Sequence, residues 1–154
     1  MKLIEGVAVR NLKPISDERG WLMEILRSDW EEFEKFGQVY MTTCNPGVAK
    51  GWHYHKKQTD HFVCIRGNAK VVLYDNREDS PTKGLVNEFI MGEENQILLK
   101  IPPLVLHGFS PADDKEATIL NVPTELYTYE NPDEYRVPYD SNEVPYDWGA
   151  EKGG

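Results

Sequence analysis

The sequence predicts an all-β fold, a sandwich or barrel of short strands, and three observations carry that prediction. From Val39 onward the chain passes through short β-type runs ("QVYMTTC", "HFVCIRG", "NAKVVLYD", "NEFIMG", "QILLKIPP", "ATILNVP") broken by turn residues such as Asn45-Pro46-Gly47. Ten prolines, twelve glycines, eight tyrosines and four tryptophans favour tight turns and packed strands over a helical bundle. A length of 154 residues suits one core and one domain.

Taken in order, residues 1–38 read as N-terminal strands followed by a short helix. "SDWEEFEKFG" supplies Ser28 or Asp29 as N-cap, acids in the first turn, Phe33 and Phe36 three apart, and Gly37 as a stop. Residues 39–130 form the barrel. Within it, His61, Val63 and Ile65 face one way and Phe62, Cys64 and Arg66 the other, while Ile97, Leu99 and Ile101 share a face. Residues 131–154 hold too many prolines for a regular element. Tyr135, Tyr139, Tyr146 and Trp148 are expected to anchor this tail on the barrel, with fraying after Trp148.

Composition narrows the function. A net charge of −9 repels nucleic acid and anionic membrane surfaces. No apolar run approaches the roughly 20 residues of a membrane span, and the first residues lack a signal-peptide layout, so a cytoplasmic protein is expected. Cys44 and Cys64 are expected to remain thiols in that compartment.

The stretch "KGWHYHKKQTDHF" carries three of the four histidines. On a strand His53 and His55 project to the same side. Gly47 lies upstream of them, Asp60 and Gly67 follow, and Pro102 and His107 come much later. This order resembles the cupin superfamily from Gly47 to His107, with Leu104 where cupins commonly place glycine. The resemblance implies a jelly-roll barrel with His53, His55, Asp60 and His107 in the wall of one pocket. Imidazoles and a carboxylate also suit a transition metal, so these four residues form a candidate metal set.

A more specific resemblance runs from about residue 14 to Trp148. "DERGWLMEILR", "GVAKGWHYH", "DNREDSPTKG" and "IPPLVLHGF" occur in order, and together they resemble the dTDP-4-dehydrorhamnose 3,5-epimerase family, metal-independent cupins of deoxysugar nucleotide synthesis. The resemblance implies that His53 abstracts the proton beside the keto group of a nucleotide-linked sugar. A neutral imidazole suits that task at neutral pH. Lys50 stands three residues before His53, where the family has Arg, and a bulge at Gly51 would turn it inward to stabilise the enolate. Arg19, Glu24 and Gln38 align with nucleotide-contacting residues, the first two reaching a neighbouring subunit's pocket in family dimers, and His107 aligns near the diphosphate. Asp75 and Arg77 read as a turn-stabilising pair.

Three departures from the family pattern touch the chemistry. The family's proton-donating tyrosine, six residues before another tyrosine, falls on Asn121 when counted back from Tyr127. An amide cannot donate a proton as a phenol does. The family's C-terminal aspartate, which orients the base, has no counterpart, and Asp60 is the candidate replacement. A family lysine and aspartate fall near His61 and on Val71.

The expected protein is therefore a cupin-type jelly roll with one short helix. It is a homodimer acting as an epimerase or isomerase on a dTDP-4-keto-6-deoxyhexose-like sugar in deoxysugar or polysaccharide biosynthesis, without a cofactor. Its base is His53, aided by Lys50 and Asp60; Arg19, Glu24, Gln38, His55, His61, His107, Asn121 and Tyr127 bind substrate. A relocated phenol is expected from Tyr54, Tyr127 or Tyr129. The alternatives are a metal-dependent cupin and a non-catalytic nucleotide-sugar binding protein.

Overall fold

The computed structural model covers residues 1–154 and contains thirteen strands and no helix. The strands are β1 (Ala8–Asn11), β2 (Ile15–Asp17), β3 (Gly20–Leu22), β4 (Tyr40–Cys44), β5 (Val48–Tyr54), β6 (Asp60–Arg66) and β7 (Asn68–Tyr74). They continue as β8 (Val86–Gly92), β9 (Ile97–Ile101), β10 (Leu106–Pro111), β11 (Ala117–Asn121), β12 (Tyr135–Arg136) and β13 (Lys152–Gly153). One sheet runs β1-β9-β6-β11-β4, and a second runs β12-β5-β10-β7-β8 with β13 added in parallel beside β5. Every other pairing is antiparallel, and β2 and β3 form a separate hairpin. This is the jelly-roll sandwich expected from the spacing of the strands.

Alternation along each strand sorts side chains between the core and the outer faces. Phe62 and Cys64 of β6 enter the main core with Ile97, Leu99 and Ile101 of β9 and with Val71, Leu73, Phe89, Met91 and Ile119. Val63, pointing the other way, joins Leu12 and Leu98 beneath Met23, Ile25, Leu26 and Trp30 on the outer face of the first sheet. The outer face of the second sheet is covered by the C-terminal segment, where Trp52, Val72, Tyr74 and Leu106 pack against Val144 and Trp148.

Two expectations about the ends of the chain are corrected. Residues 28–37 form isolated turns in place of a helix, with only Trp30 N to Arg27 O and Phe33 N to Trp30 O as local backbone bonds. A ten-residue helix is marginal by itself, and this segment's groups bond elsewhere. Glu32 O accepts from His61, the Glu32 carboxylate pairs with Arg10 at 2.8 Å, and Gly37 N donates to Pro123 O. The tail does not fray after Trp148. Lys152 and Gly153 pair with Val48 and Ala49, and Gly154 N donates to Ala49 O. No helix of the chain is long and apolar enough to cross a membrane.

The bulge expected in β5 is present. His107 pairs with His53 but Phe109 pairs with Lys50, so Gly51 and Trp52 of β5 oppose the single residue Gly108 of β10. Glycine is required at position 108, and position 51 leaves little room for a side chain. A Cβ on Gly108 would lie 2.5 Å from Lys50 O, and one on Gly51 would lie 3.3 Å from Gly108 Cα. Leu104, where cupins commonly place glycine, holds φ at 69°.

Candidate active site

A cavity of about 560 Å³ opens between the two sheets at the end not filled by the apolar core. His53 on β5, His107 on β10 and Lys50 at the bulge enter from the second sheet. Tyr40 and Thr42 on β4 and Phe62 on β6 enter from the first, while His55 and Gln58 lie on the connection between β5 and β6. Gln38 and Tyr127 close one side, tied by a 2.7 Å bond from Tyr127 N to Gln38 Oε1. Lys50 is held inward, its Nζ donating to Thr42 Oγ1 at 3.0 Å.

Asp60 organises the floor. It shares Phe62's face of β6 and is 1% exposed. Its Oδ1 accepts from Gln58 Nε2 at 2.8 Å and Asn121 Nδ2 at 2.7 Å, and its Oδ2 lies 3.2 Å from both His55 Nε2 and His107 Nε2. Burial works against this charge, but the bonds from His107 and His55 outweigh it and hold the carboxyl far below the usual range. His55 Nδ1 in turn lies 2.5 Å from the Asp133 carbonyl. The Asp60 carboxylate and the Asp133 carbonyl only accept, so a hydrogen on each ring nitrogen satisfies both, while the Gln58 amide nitrogen, 3.4 Å from Nε2, already donates to Asp60. Burial opposes the charged ring, yet the Asp60 carboxylate and the Asp133 carbonyl raise its pKa. His107 Nδ1 lies 3.0 Å from Val105 O.

His53 has the opposite environment. Burial, reinforced by positive charge on His107, Arg136 and His55, pushes its pKa down to about 4. The ring is therefore neutral at physiological pH. Its Nδ1 lies 3.5 Å from Glu134 Oε1, within ion-pair reach but without hydrogen-bond alignment. Neighbouring imidazoles with pKa values driven in opposite directions bring a base and a proton-holding group into one cavity.

Several expected residues fall elsewhere. His61 is fully buried on the outer face of the first sheet, its ring nitrogens at 2.9 Å from Val122 O and 2.8 Å from Glu32 O, so it does not reach the cavity. Alternation already placed it on Val63's side, opposite Phe62. Asn121 lies behind the wall, bonding Asp60 and Tyr40. Asp60 serves His55 and His107, and the carboxylate beside His53 is Glu134. Arg19 and Glu24 are exposed, paired with Asp17 and Arg27 on or just after the β2–β3 hairpin, outside the cavity. Tyr54 stacks on Tyr135, and Tyr129 is 90% exposed. Asp75 does brace its turn, accepting from Arg77, Ser80 and Thr82.

Sequence reasoning missed Tyr40, Glu134 and Arg136. The last two lay in a segment read as an irregular tail. Their signal was the alternation Glu134, Tyr135, Arg136, which lets β12 pair with β5 so that Arg136 sits opposite His53.

Three ligand-type atoms, from His55, Asp60 and His107, lie within 4.8 Å of one another and have the composition to hold a cation; His53 is outside this group.

A jelly roll whose cavity holds an uncharged histidine beside a carboxylate-clamped one is built for acid–base chemistry on a small polar ligand, as in the cupin sugar isomerases. The chain belongs to the dTDP-4-dehydrorhamnose 3,5-epimerase family, which it matches over residues 2–153. It is 47% identical over the full length of both chains to the probable low-salt glycan biosynthesis epimerase Agl13 of Haloferax volcanii. It is 42% identical to the spore coat polysaccharide biosynthesis protein SpsL of Bacillus subtilis, over 97% of this chain and 99% of that one. Among solved structures, a dTDP sugar isomerase of Desulfovibrio desulfuricans superposes with a TM-score of 0.87 at 34% identity, over 94% of this chain and 92% of the other. A Legionella pneumophila epimerase in complex with dTDP-4-keto-L-rhamnose gives 0.84 at 25% identity, over 99% and 84%.

Proposed function

We propose that this chain epimerises or isomerises a nucleotide-linked 4-keto-6-deoxyhexose for glycan or polysaccharide synthesis, with His53 as the base. The reading is carried by one observation: His53, its pKa lowered by burial, lies in the same cavity as His55, whose ring sits between the Asp60 carboxylate at 3.2 Å and the Asp133 carbonyl at 2.5 Å. The first accepts a proton from the carbon beside the ketone. As that C–H bond breaks, its electron pair moves onto the carbonyl oxygen, and the charged His55 ring and Lys50 ammonium stabilise the enolate. Glu134, 3.5 Å from the far nitrogen of His53, stabilises the imidazolium formed. Arg136, across from His53 on β12, supplies positive charge at the mouth for a diphosphate.

The protein acts as a homodimer in this reading. The β2–β3 hairpin stands apart from both sheets with Ile15, Trp21 and Leu22 more than 60% exposed, and it carries Arg19 toward a neighbouring subunit's cavity. The relatives named for glycan and spore-coat polysaccharide synthesis, and the epimerase holding dTDP-4-keto-L-rhamnose, support this substrate class.

The test is turnover of dTDP-4-keto-6-deoxyglucose followed by proton NMR. His53→Ala should lower the rate by at least ~100-fold while circular dichroism and melting temperature stay close to those of the parent. Unchanged turnover in a folded variant would refute the assignment.

A further inference from the structure

Inverting a carbon centre requires an acid on the face opposite the base, and Asn121 cannot be that acid. Two phenols, Tyr40 and Tyr127, line the cavity. Tyr40 rises from β4 in the first sheet and His53 from β5 in the second, so a sugar between the sheets has one on each side.

The bonds around Asn121 fix the direction of the Tyr40 hydroxyl. Asn121 Oδ1 accepts from His61 N at 2.9 Å, and Nδ2 donates to Asp60 Oδ1 at 2.7 Å. Because the carboxylate only accepts, the orientation of this amide is settled. The second N–H on the same nitrogen then points at Tyr40 Oη, 2.9 Å away. The phenol oxygen is thus an acceptor toward Asn121, and no protein group accepts the phenol hydrogen, which is left to donate into the cavity.

We propose that Tyr40 is a catalytic residue, the acid that protonates the enolate carbon on the face opposite His53. This rests on the reading of His53 as the base. In the full step His53 takes the proton and the enolate forms. The O–H bond of Tyr40 then breaks as a new C–H bond forms, leaving a phenolate that accepts the Asn121 N–H. Solvent removes the proton from His53 and returns one to Tyr40, so the enzyme resets without a co-reactant. Burial, with the Asp60 charge behind it, pushes the phenol up to about 12, against a smaller opposite effect of the Asn121 bond, so the hydroxyl is loaded at neutral pH.

The test is Tyr40→Phe assayed with dTDP-4-keto-6-deoxyglucose in deuterium oxide, with configuration and deuterium content both read by NMR. If Tyr40 is the acid, the variant still exchanges deuterium into recovered starting sugar, because His53 removes and returns the proton on its own face. Epimer formation should fall by at least ~100-fold. Epimer at the parent rate overturns the proposal, as does joint loss of exchange and epimer in a variant with the parent's melting temperature. Failure of the His53 reading looks different: the parent enzyme itself then exchanges no deuterium into this sugar or its UDP counterpart, and both readings fall together.

Discussion

Asp60→Asn is the perturbation that the geometry constrains most tightly. The native carboxylate accepts from four donors, the side chains of Gln58 and Asn121 at one oxygen and His55 and His107 at the other. An amide in its place has a single accepting oxygen, and its NH2 must face two donors whichever way it turns. It also removes the carboxylate charge that, with Asp133, raises the pKa of His55. Breaking a buried pair from one side costs about 3–5 kcal/mol, a large part of the ~5–15 kcal/mol typical of a domain. At this chain length the corresponding drop in melting temperature is about 6–20 °C. Urea unfolding at pH 7 measures the loss, and imidazole nitrogen NMR reports the charge on His55, which should become neutral in the variant. A loss below about 1 kcal/mol with His55 still charged would refute the view of Asp60 as the centre of the site.

The opposed histidines also set the pH response. His53 has its folded pKa lowered to about 4, so its contribution to stability is present above the ordinary imidazole value and is lost as pH falls through about 4. The acid limb of kcat/KM should therefore lie well below ~6.5; an inflection at or above that value would contradict a neutral His53. His55 has its pKa raised, so its contribution is complete at low pH and disappears as pH rises through the folded value. Urea midpoints taken from pH 6 upward should fall in the parent and flatten in Asp60→Asn, and a parallel fall in both would count against the pair. Elemental analysis of dialysed protein should find no stoichiometric transition metal, with turnover unaffected by chelator. Tightly held metal with chelator-sensitive activity would instead assign His55, Asp60 and His107 to a metal centre.

Much of the fold was legible because strand alternation is a local signal. Phe62 and Cys64 inside with Val63 outside, and Ile97, Leu99 and Ile101 on one face, follow from period two alone. The inward turn of Lys50 was legible through Gly51, because an offset of three from His53 requires one extra residue in the strand. The helix over 28–37 was misread because its capping residues and acids satisfy local rules, while the deciding partners, His61, Arg10 and Pro123, come from three distant elements. Tyr40 and Glu134 escaped for the same reason. Tyr40 became visible only through its cross-strand partner Asn121, and Glu134 through the pairing of β12 with β5. Dense prolines around Glu134 hid a two-residue strand too short to leave a periodic trace.

What remains most exposed to direct test is the removal of hydrogen from carbon by His53. Parent enzyme and His53→Ala, each incubated with dTDP-4-keto-6-deoxyglucose in deuterium oxide, differ in one mass-spectrometric number, the deuterium gained by the hexose. The parent should incorporate label beside the ketone and the folded variant none above the enzyme-free rate; equal labelling by both would show that another group takes the proton.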